Sequence, residues 1–309
     1  MSPLVSIIIP NYNHAPYLHE RIESILNQTF KDYEIIILDD FSTDNSKEII
    51  NEYQNHPRIS HIIYNNINSG STFVQWNRGF NLAKGKYIWI AESDDFCEKD
   101  MLEVLVNNIN KQSNNVLAFC LSQFVNSNGN KINPFLKTSK NIIISGNKFI
   151  SNYMTFENAI HNASSAIFKK DCLSVITSDY TKFKAAGDRL FWIEIAKQGN
   201  VAIVNTPLNY FRQHKIKVSP AKLIDGTTFK EDYLIFSYLR SLNYINKYQN
   251  FFIKNHYTNK IYKVKEMSAT KKNEMLHLWN NTISNCRILV AFIDLLYKYI
   301  NKLQNKLFI

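Results

Sequence analysis

Three short runs of this chain put polar and acidic residues where chemistry could use them. Pro10-Asn11-Tyr12-Asn13, Asp39-Asp40-Phe41-Ser42 and Glu92-Ser93-Asp94-Asp95 each follow an apolar, β-branched stretch. Carboxylates gathered at neighbouring strand ends repel one another unless a cation or hydrogen-bond donors compensate them. A divalent metal bound with a phosphate ligand is one resolution, because oxygen-rich sites suit hard cations that also hold phosphates. Acidic residues also end strands as turn and capping residues, and Asp44 reads as a helix cap. Two acidic pairs at adjacent crevice positions favour the metal and phosphate reading.

The elements that must position these runs follow from the hydrophobic period. Val5–Ile9 is a buried strand expected to stop at Pro10, and Glu34–Leu38 is a second. Leu18, Ile22, Ile25 and Leu26 fall at helical spacing. Ile59–Tyr64 and Lys86–Ala91 read as further strands, separated by a helix marked by Phe73, Trp76 and Phe80. Trp76 and Phe80 read as core rather than as substrate platforms. Strands alternating with helices imply parallel pairing in an open α/β sheet, whose ligands bind at the carboxyl ends of the strands. Further on, Asn128-Gly129 is a tight turn, Ala163–Phe168 a strand, and Asp188–Lys197 a helix. Val201–Val204 and Leu208–Phe211 read as two strands around Pro207.

The formal charge of +10 over 309 residues raises nucleic acid as a partner. Its distribution argues otherwise. Residues 1–220 carry 22 basic and 20 acidic side chains, a net +2, whereas 221–309 carry 14 and 6, a net +8. The sequence therefore divides at about residue 220 into a nearly neutral α/β domain (1–220) and a basic, helical region (221–309). No nucleic-acid-binding motif accompanies the basic region, so no nucleic-acid partner is expected. No apolar run reaches 18 residues, and Met1–Val5 lacks the basic region and apolar core of a leader. Cys97, Cys120, Cys172 and Cys286 are widely spaced and read as reduced thiols. The expected location is cytoplasmic, with peripheral contact at the inner face of a membrane.

The ordered runs carry a resemblance. Val5 to Asn13, Gln28 to Asp44, Asn68-Ser69-Gly70, Asn77-Arg78-Gly79, Ala83 to Ile88, Ser93-Asp94-Asp95, Gly187-Asp188 and Asn209 to His214 together resemble the family 2 glycosyltransferases of GT-A fold. The likeness spans roughly residues 4–215. It implies a Rossmann-like, mixed but mainly parallel sheet flanked by helices, followed here by a C-terminal helical extension. It also implies an inverting transferase that uses a nucleotide-diphosphate sugar, most naturally a UDP-sugar, in bacterial surface polysaccharide synthesis. By the same resemblance Asp40 binds the nucleobase, Pro10 and Tyr12 line its pocket, and Asp94 contacts the ribose or the metal. Asp95 then binds the metal directly, and Asp188 is the general base. Glu92 stands where the family often has aspartate.

Oxygen ligands plus an imidazole from His214 suit Mn²⁺ or Mg²⁺, and the imidazole tilts the choice to Mn²⁺. His214 alone reads more readily as an ordinary strand-end histidine than as a ligand, and its motif brings the two readings level. Arg212 could add fixed positive charge at the diphosphate, and His161 and Asn162 fall where the family often contacts the acceptor. Asp188 also has a second reading, as the N-cap of its helix.

Beyond residue 280 the apolar residues Ile288, Leu289, Phe292, Leu296, Tyr299, Ile300, Leu303 and Leu307 form one face of a helix. Arg287, Asp294, Lys298 and Lys302 form another. Such a helix either packs on protein, including a second copy of the chain, or meets anionic lipid, where a lipid-linked acceptor would lie. Two other functions remain open to the sequence. A nucleotidyltransferase would show a glycine-rich loop after the first strand, which is absent. A nucleotide-sugar-binding scaffold would need neither Asp95, Asp188 nor His214.

Overall fold

The computed structural model describes residues 2–132, 140–213, 218–279 and 290–295. In chain order its first elements are β1 (Val5–Asn11), α1 (Ala15–Leu26), β2 (Tyr33–Asp39), α2 (Ser46–Glu52), β3 (Ile59–Tyr64), α3 (Thr72–Leu82), β4 (Tyr87–Ile90), β5 (Phe96–Cys97) and α4 (Met101–Ile109). There follow β6 (Asn115–Asn126), β7 (Ile142–Ser145), α5 (Gly146–Phe149), β8 (Ala166–Lys169), α6 (Gly187–Ala196) and β9 (Asn200–Gln213). The last are α7 (Val218–Ile224), α8 (Thr227–Ser241), α9 (Lys247–Lys263) and α10 (Ala269–Trp279).

The chain forms two compact units. The first comprises Met1–Gly146, Ile160–Thr181 and Phe191–Lys215, and the second Asn147–Ala159, Lys182–Leu190 and Ile216–Ile309. The composition shift near residue 220 thus falls close to the last crossing between units. The second unit also recruits two earlier segments, which carry no shift in composition.

The first unit is built on one mixed sheet of order β3-β2-β1-β4-β8-β6-β9-β5, with β7 also on β9. Strands β1–β4 and the β6–β9 pair run parallel, whereas β5, β7 and β8 pair antiparallel. Strands β1, β2 and β4 are buried along their whole length. They read as unbroken apolar runs because helices cover both faces of such a sheet. Leu18, Ile22 and Ile25 of α1 pack into the same core. Gly85 admits a close backbone approach, since a Cβ there would lie 2.5 Å from the amide nitrogen of Ser6.

Three local expectations change. Strand β1 runs through Pro10 to Asn11, with Pro10 opposite Leu38 on β2. On its other side β4 is registered only as far as Ile90, opposite Ile8. No β4 residue therefore faces the missing Pro10 N–H. The two strands expected around Pro207 are one strand, β9. Pro207 sits opposite Leu121, where the β6–β9 register shifts on both sides. Such an irregularity is where a strand tolerates proline. Ala163–Ser165 forms a 3₁₀ turn, and the strand begins only at Ala166. The Asn128-Gly129 turn forms, with Gly129 at φ +81° and its N–H bonded to Asn126 O at 3.0 Å.

The second unit is helical. Arg189 Nη1 donates to Asp232 at 2.7 Å and to Tyr257 OH at 2.9 Å, while its Nε and Nη2 donate to Met154 O. Glu231 accepts from the backbone amides of Lys184, Ala185 and Ala186. Tyr257 stacks on Trp279 at 3.9 Å. Asp294, expected on the charged face with Arg287, Lys298 and Lys302, is buried. It accepts from Asn259 at 2.7 Å and pairs with His256 at 2.8 Å, and its burial turns Phe292 and Leu295 outward. Most of the expected final helix and Cys286 lie outside the described residues. No helix among the described residues is long and apolar enough to cross a membrane.

Candidate active site

The carboxyl ends of β1, β2 and β4 bring the three polar runs to one edge of the sheet in the first unit. Asp40, one residue beyond β2, is buried and receives four donors. Asn65 Nδ2 (2.6 Å), Ser69 N (2.9 Å) and Gln75 Nε2 (2.8 Å) reach Oδ1, and Ser69 Oγ (2.7 Å) reaches Oδ2. The Asn68-Ser69-Gly70 run and α3 therefore hold this carboxylate in one orientation. Asp39 has a different task. It accepts from Asn11 Nδ2 at 2.8 Å and from Ser42 N and Oγ, tying the ends of β1 and β2 together. Beside them Tyr12 and Phe41 are 46% and 48% exposed, two aromatic faces open to a planar ligand. Asn13 and Phe41 both adopt positive φ, which turns the chain sharply after each strand.

The Glu92–Asp95 run lies beyond β4. Trp76 Nε1 donates to Glu92 at 3.0 Å. Burial, and next the charge of Asp94, push the Glu92 carboxyl up to about 8. The same two causes push Asp95 well above the usual carboxylate range. Three carboxylates within four residues supply oxygen donors of the kind a hard divalent cation takes. Among the described residues, however, no group of three or more His, Cys, Asp or Glu is placed to hold a metal ion.

Within this run the structure separates the two aspartates. Asp95 is 1% exposed, and both its oxygens are taken. Ser164 Oγ (2.7 Å) and Asn162 Nδ2 donate to Oδ2, and the Arg212 amide donates to Oδ1 at 2.9 Å. Asp94 is only partly buried.

Arg212, expected to add charge at a diphosphate, is buried and hydrogen-bonded to its own chain. Its Nε donates to Asp94 O (2.7 Å), its Nη1 to Ser127 O (2.9 Å), and its Nη2 pairs with Glu20. A guanidinium spent on these acceptors serves the loop. Asn162 likewise is committed at both ends of its amide, to Asp95 and to Asn209 Nδ2 (2.9 Å). His161 is exposed, its ring 5.5 Å from Phe124. His214 lies outside the described residues. Trp76 and Phe80 are buried, as expected of core residues.

Two residues outside the motifs, Arg21 and His14, also reach the Glu92–Asp95 loop. Arg21 is fully buried on α1, and His14 Nδ1 lies 2.8 Å from Ser93 Oγ. Arg21 had a signal: a charge on the apolar face marked by Leu18, Ile22 and Ile25.

In the second unit, Asp188 occupies the first turn of α6. Asn158 Nδ2 donates to its Oδ2 at 2.8 Å. Burial pushes its carboxyl up to about 6, against the hydrogen bonds from Arg189 N and Asn158. A carboxylate of that acidity accepts a proton near neutral pH.

Residues 6–175 match the family described as Glycosyl transferase family 2, and the chain belongs to it. Its curated relatives include glycosyltransferase GlyG of Streptococcus pneumoniae, 36% identical over 42% of this chain and 43% of that protein. They also include a chondroitin synthase of Escherichia coli (30% identity, covering 71% and 34%). A third is the poly(ribitol-phosphate) β-N-acetylglucosaminyltransferase TarP of Staphylococcus aureus (33% identity, covering 67% and 62%). The chain thus spans less than two thirds of the length of these relatives. Among solved structures, S. aureus TarS 1–349 in complex with UDP-GlcNAc superposes with a TM-score of 0.59 at 18% identity, over 92% of this chain and 73% of that one. The fold is the mixed, helix-flanked GT-A sheet.

Proposed function

We propose that this protein is an inverting, divalent-metal-dependent transferase of bacterial surface polysaccharide synthesis. It moves a sugar from a UDP-sugar to a hydroxyl of a glycan or lipid-linked acceptor. The observation that carries this reading is the convergence of Asp40 and the Glu92–Asp95 carboxylates at one sheet edge in a family 2 chain. Two relatives support the substrate class, since one is named a chondroitin synthase and the other a poly(ribitol-phosphate) β-N-acetylglucosaminyltransferase. A solved neighbour carries GDP-mannose and Mn²⁺.

In this reading Asp40, held by its four donors, accepts from the nucleobase, Tyr12 stacks on the base, and Pro10 lines the pocket. Asp94 holds Mn²⁺ or Mg²⁺, with His214 as the imidazole ligand. Asp95 braces the loop rather than meeting the metal. Bound there, the cation supplies positive charge that offsets the charge growing on the leaving diphosphate. Asp188 takes the proton from the acceptor hydroxyl. The acceptor oxygen bonds to the anomeric carbon as the bond from that carbon to the diphosphate oxygen breaks on the opposite face. A base of this kind contributes about 10²–10⁴-fold in rate. The test is a screen of UDP-, GDP- and dTDP-sugars for nucleotide release with Mn²⁺ and a mixed glycan acceptor pool. Release from a UDP-sugar supports the reading. Silence with every donor supports the nucleotide-sugar-binding scaffold instead.

A second inference concerns 221–309, which we read as docking on the anionic inner face of a membrane. Val290 and Asp294 are buried while Phe292 and Leu295 are 61% and 67% exposed. An outward apolar pair in a region of net +8 suits insertion among acidic headgroups.

A further inference from the structure

We propose that Arg21 and Arg212 are positioning residues that clasp the Glu92–Asp95 loop from two sides and set its affinity for metal and nucleotide. The inference rests on the reading of Asp94 as metal ligand and extends it to residues outside the loop.

The two guanidiniums take alternate carbonyls of the loop. Arg21 Nε donates to Glu92 O at 2.9 Å, and Arg212 Nε donates to Asp94 O at 2.7 Å. Both side chains are buried, with residue exposures of 0% and 3%. Arg21 Nη2 makes no hydrogen bond and lies 3.9 Å from Asp95 Oδ2, so it acts there through charge. Arg21 also sits 5.8 Å from the Trp89 ring centroid. Arg212 lies 4.6 Å from the Tyr17 ring and 5.4 Å from Phe96. Glu20, next to Arg21 on α1, pairs with Arg212 and closes the clasp.

Burying a charge is costly unless it is paired and hydrogen-bonded, so two buried arginines on one short loop need a reason. A planar fork reaches several carbonyls at fixed angles, which a lysine ammonium does not. A loop already held in its binding shape spends no ordering free energy when its ligand arrives. Releasing it should weaken binding and leave the chemistry at saturation nearly intact.

The experiment is calorimetric titration of UDP with and without Mn²⁺ into wild type, Arg21→Lys, Arg212→Lys and the control Leu18→Ala. It is paired with nucleotide release at saturating donor. Each lysine variant should lose about tenfold in affinity for UDP with Mn²⁺, the cost of roughly one charge-assisted hydrogen bond. Turnover at saturation should stay within about threefold, and the control should bind as wild type does. Unchanged affinity in the lysine variants, or turnover lost at unchanged affinity, overturns the inference. If the lysine variants do not fold, Glu20→Gln carries the test, because Glu20 is half exposed. Its affinity should fall about threefold, and wild-type affinity would overturn the clasp. Should wild type bind UDP equally without Mn²⁺, the metal reading fails alone. The same losses are then required in metal-free UDP affinity.

Discussion

Ser164 Oγ donates to Asp95 Oδ2 at 2.7 Å and accepts the amide of Glu92 at 3.0 Å, so one hydroxyl holds both ends of the acidic loop. Ser164→Ala leaves a buried carboxylate and a backbone amide short of a partner. It should cost about 1–3 kcal/mol in stability. Urea denaturation measures this, and a midpoint equal to wild type would show that the loop is held without Ser164.

Asp188 gives the stability of the fold a pH dependence. Its folded carboxyl is raised from 3.8 to about 6. The group therefore contributes stability while protonated. That contribution is complete below about pH 4 and is lost as the pH rises through 6. Asp188→Asn should remove this loss and stabilise the protein at pH 7 by up to about 3 kcal/mol, two pKa units being worth that much. At pH 4 the two proteins should melt together. A variant less stable at pH 7 would contradict this.

Much of the fold was legible before the structure, because buried parallel strands such as Ile7–Ile9 and Ile35–Leu38 declare themselves as apolar runs. Register was not. Pro207 reads as a break from the chain alone, and only the shift against Leu121 lets β9 continue. At the sheet edge, the positions of Asp40 and Asp94 just beyond β2 and β4 are readable from the apolar runs before them. The difference between Asp94 and Asp95 is not, since it depends on Ser164, Asn162 and Arg212, which are remote in sequence. Arg212 looked like a ligand for phosphate because a cation near an expected diphosphate invites that role. Its partners Asp94 O, Ser127 O and Glu20 come together only in the folded chain.

The same carboxyl predicts a pH profile. If Asp188 is the base, kcat/KM should fall as the pH drops through about 6, where it becomes protonated. UDP affinity should not follow that limb. Turnover that holds to pH 5 would exclude Asp188 as the titrating base.

Asp40 should govern nucleotide binding. Asp40→Asn keeps the shape and an acceptor for the Oδ1 donors Asn65, Ser69 N and Gln75. It loses the charge and one acceptor oxygen. UDP affinity should fall about tenfold, one charged hydrogen bond, with the fold retained. Calorimetry reads this, and wild-type affinity would remove Asp40 from the base pocket.

Phe292 and Leu295 should govern membrane contact. Phe292→Ser with Leu295→Ser should cut sedimentation with vesicles rich in phosphatidylglycerol by about tenfold, the apolar area of the two side chains being withdrawn from lipid. Sedimentation equal to wild type would remove this pair as the docking face.

The central claim is that one carboxylate, Asp188, removes the acceptor proton in transfer from a UDP-sugar. The most direct measurement compares wild type with Asp188→Asn in two readouts, acceptor-dependent nucleotide release and UDP binding with Mn²⁺. Release should fall by about 10²-fold or more while UDP affinity stays within twofold of wild type. Near-normal release by the variant, or release and binding lost together, would contradict the account.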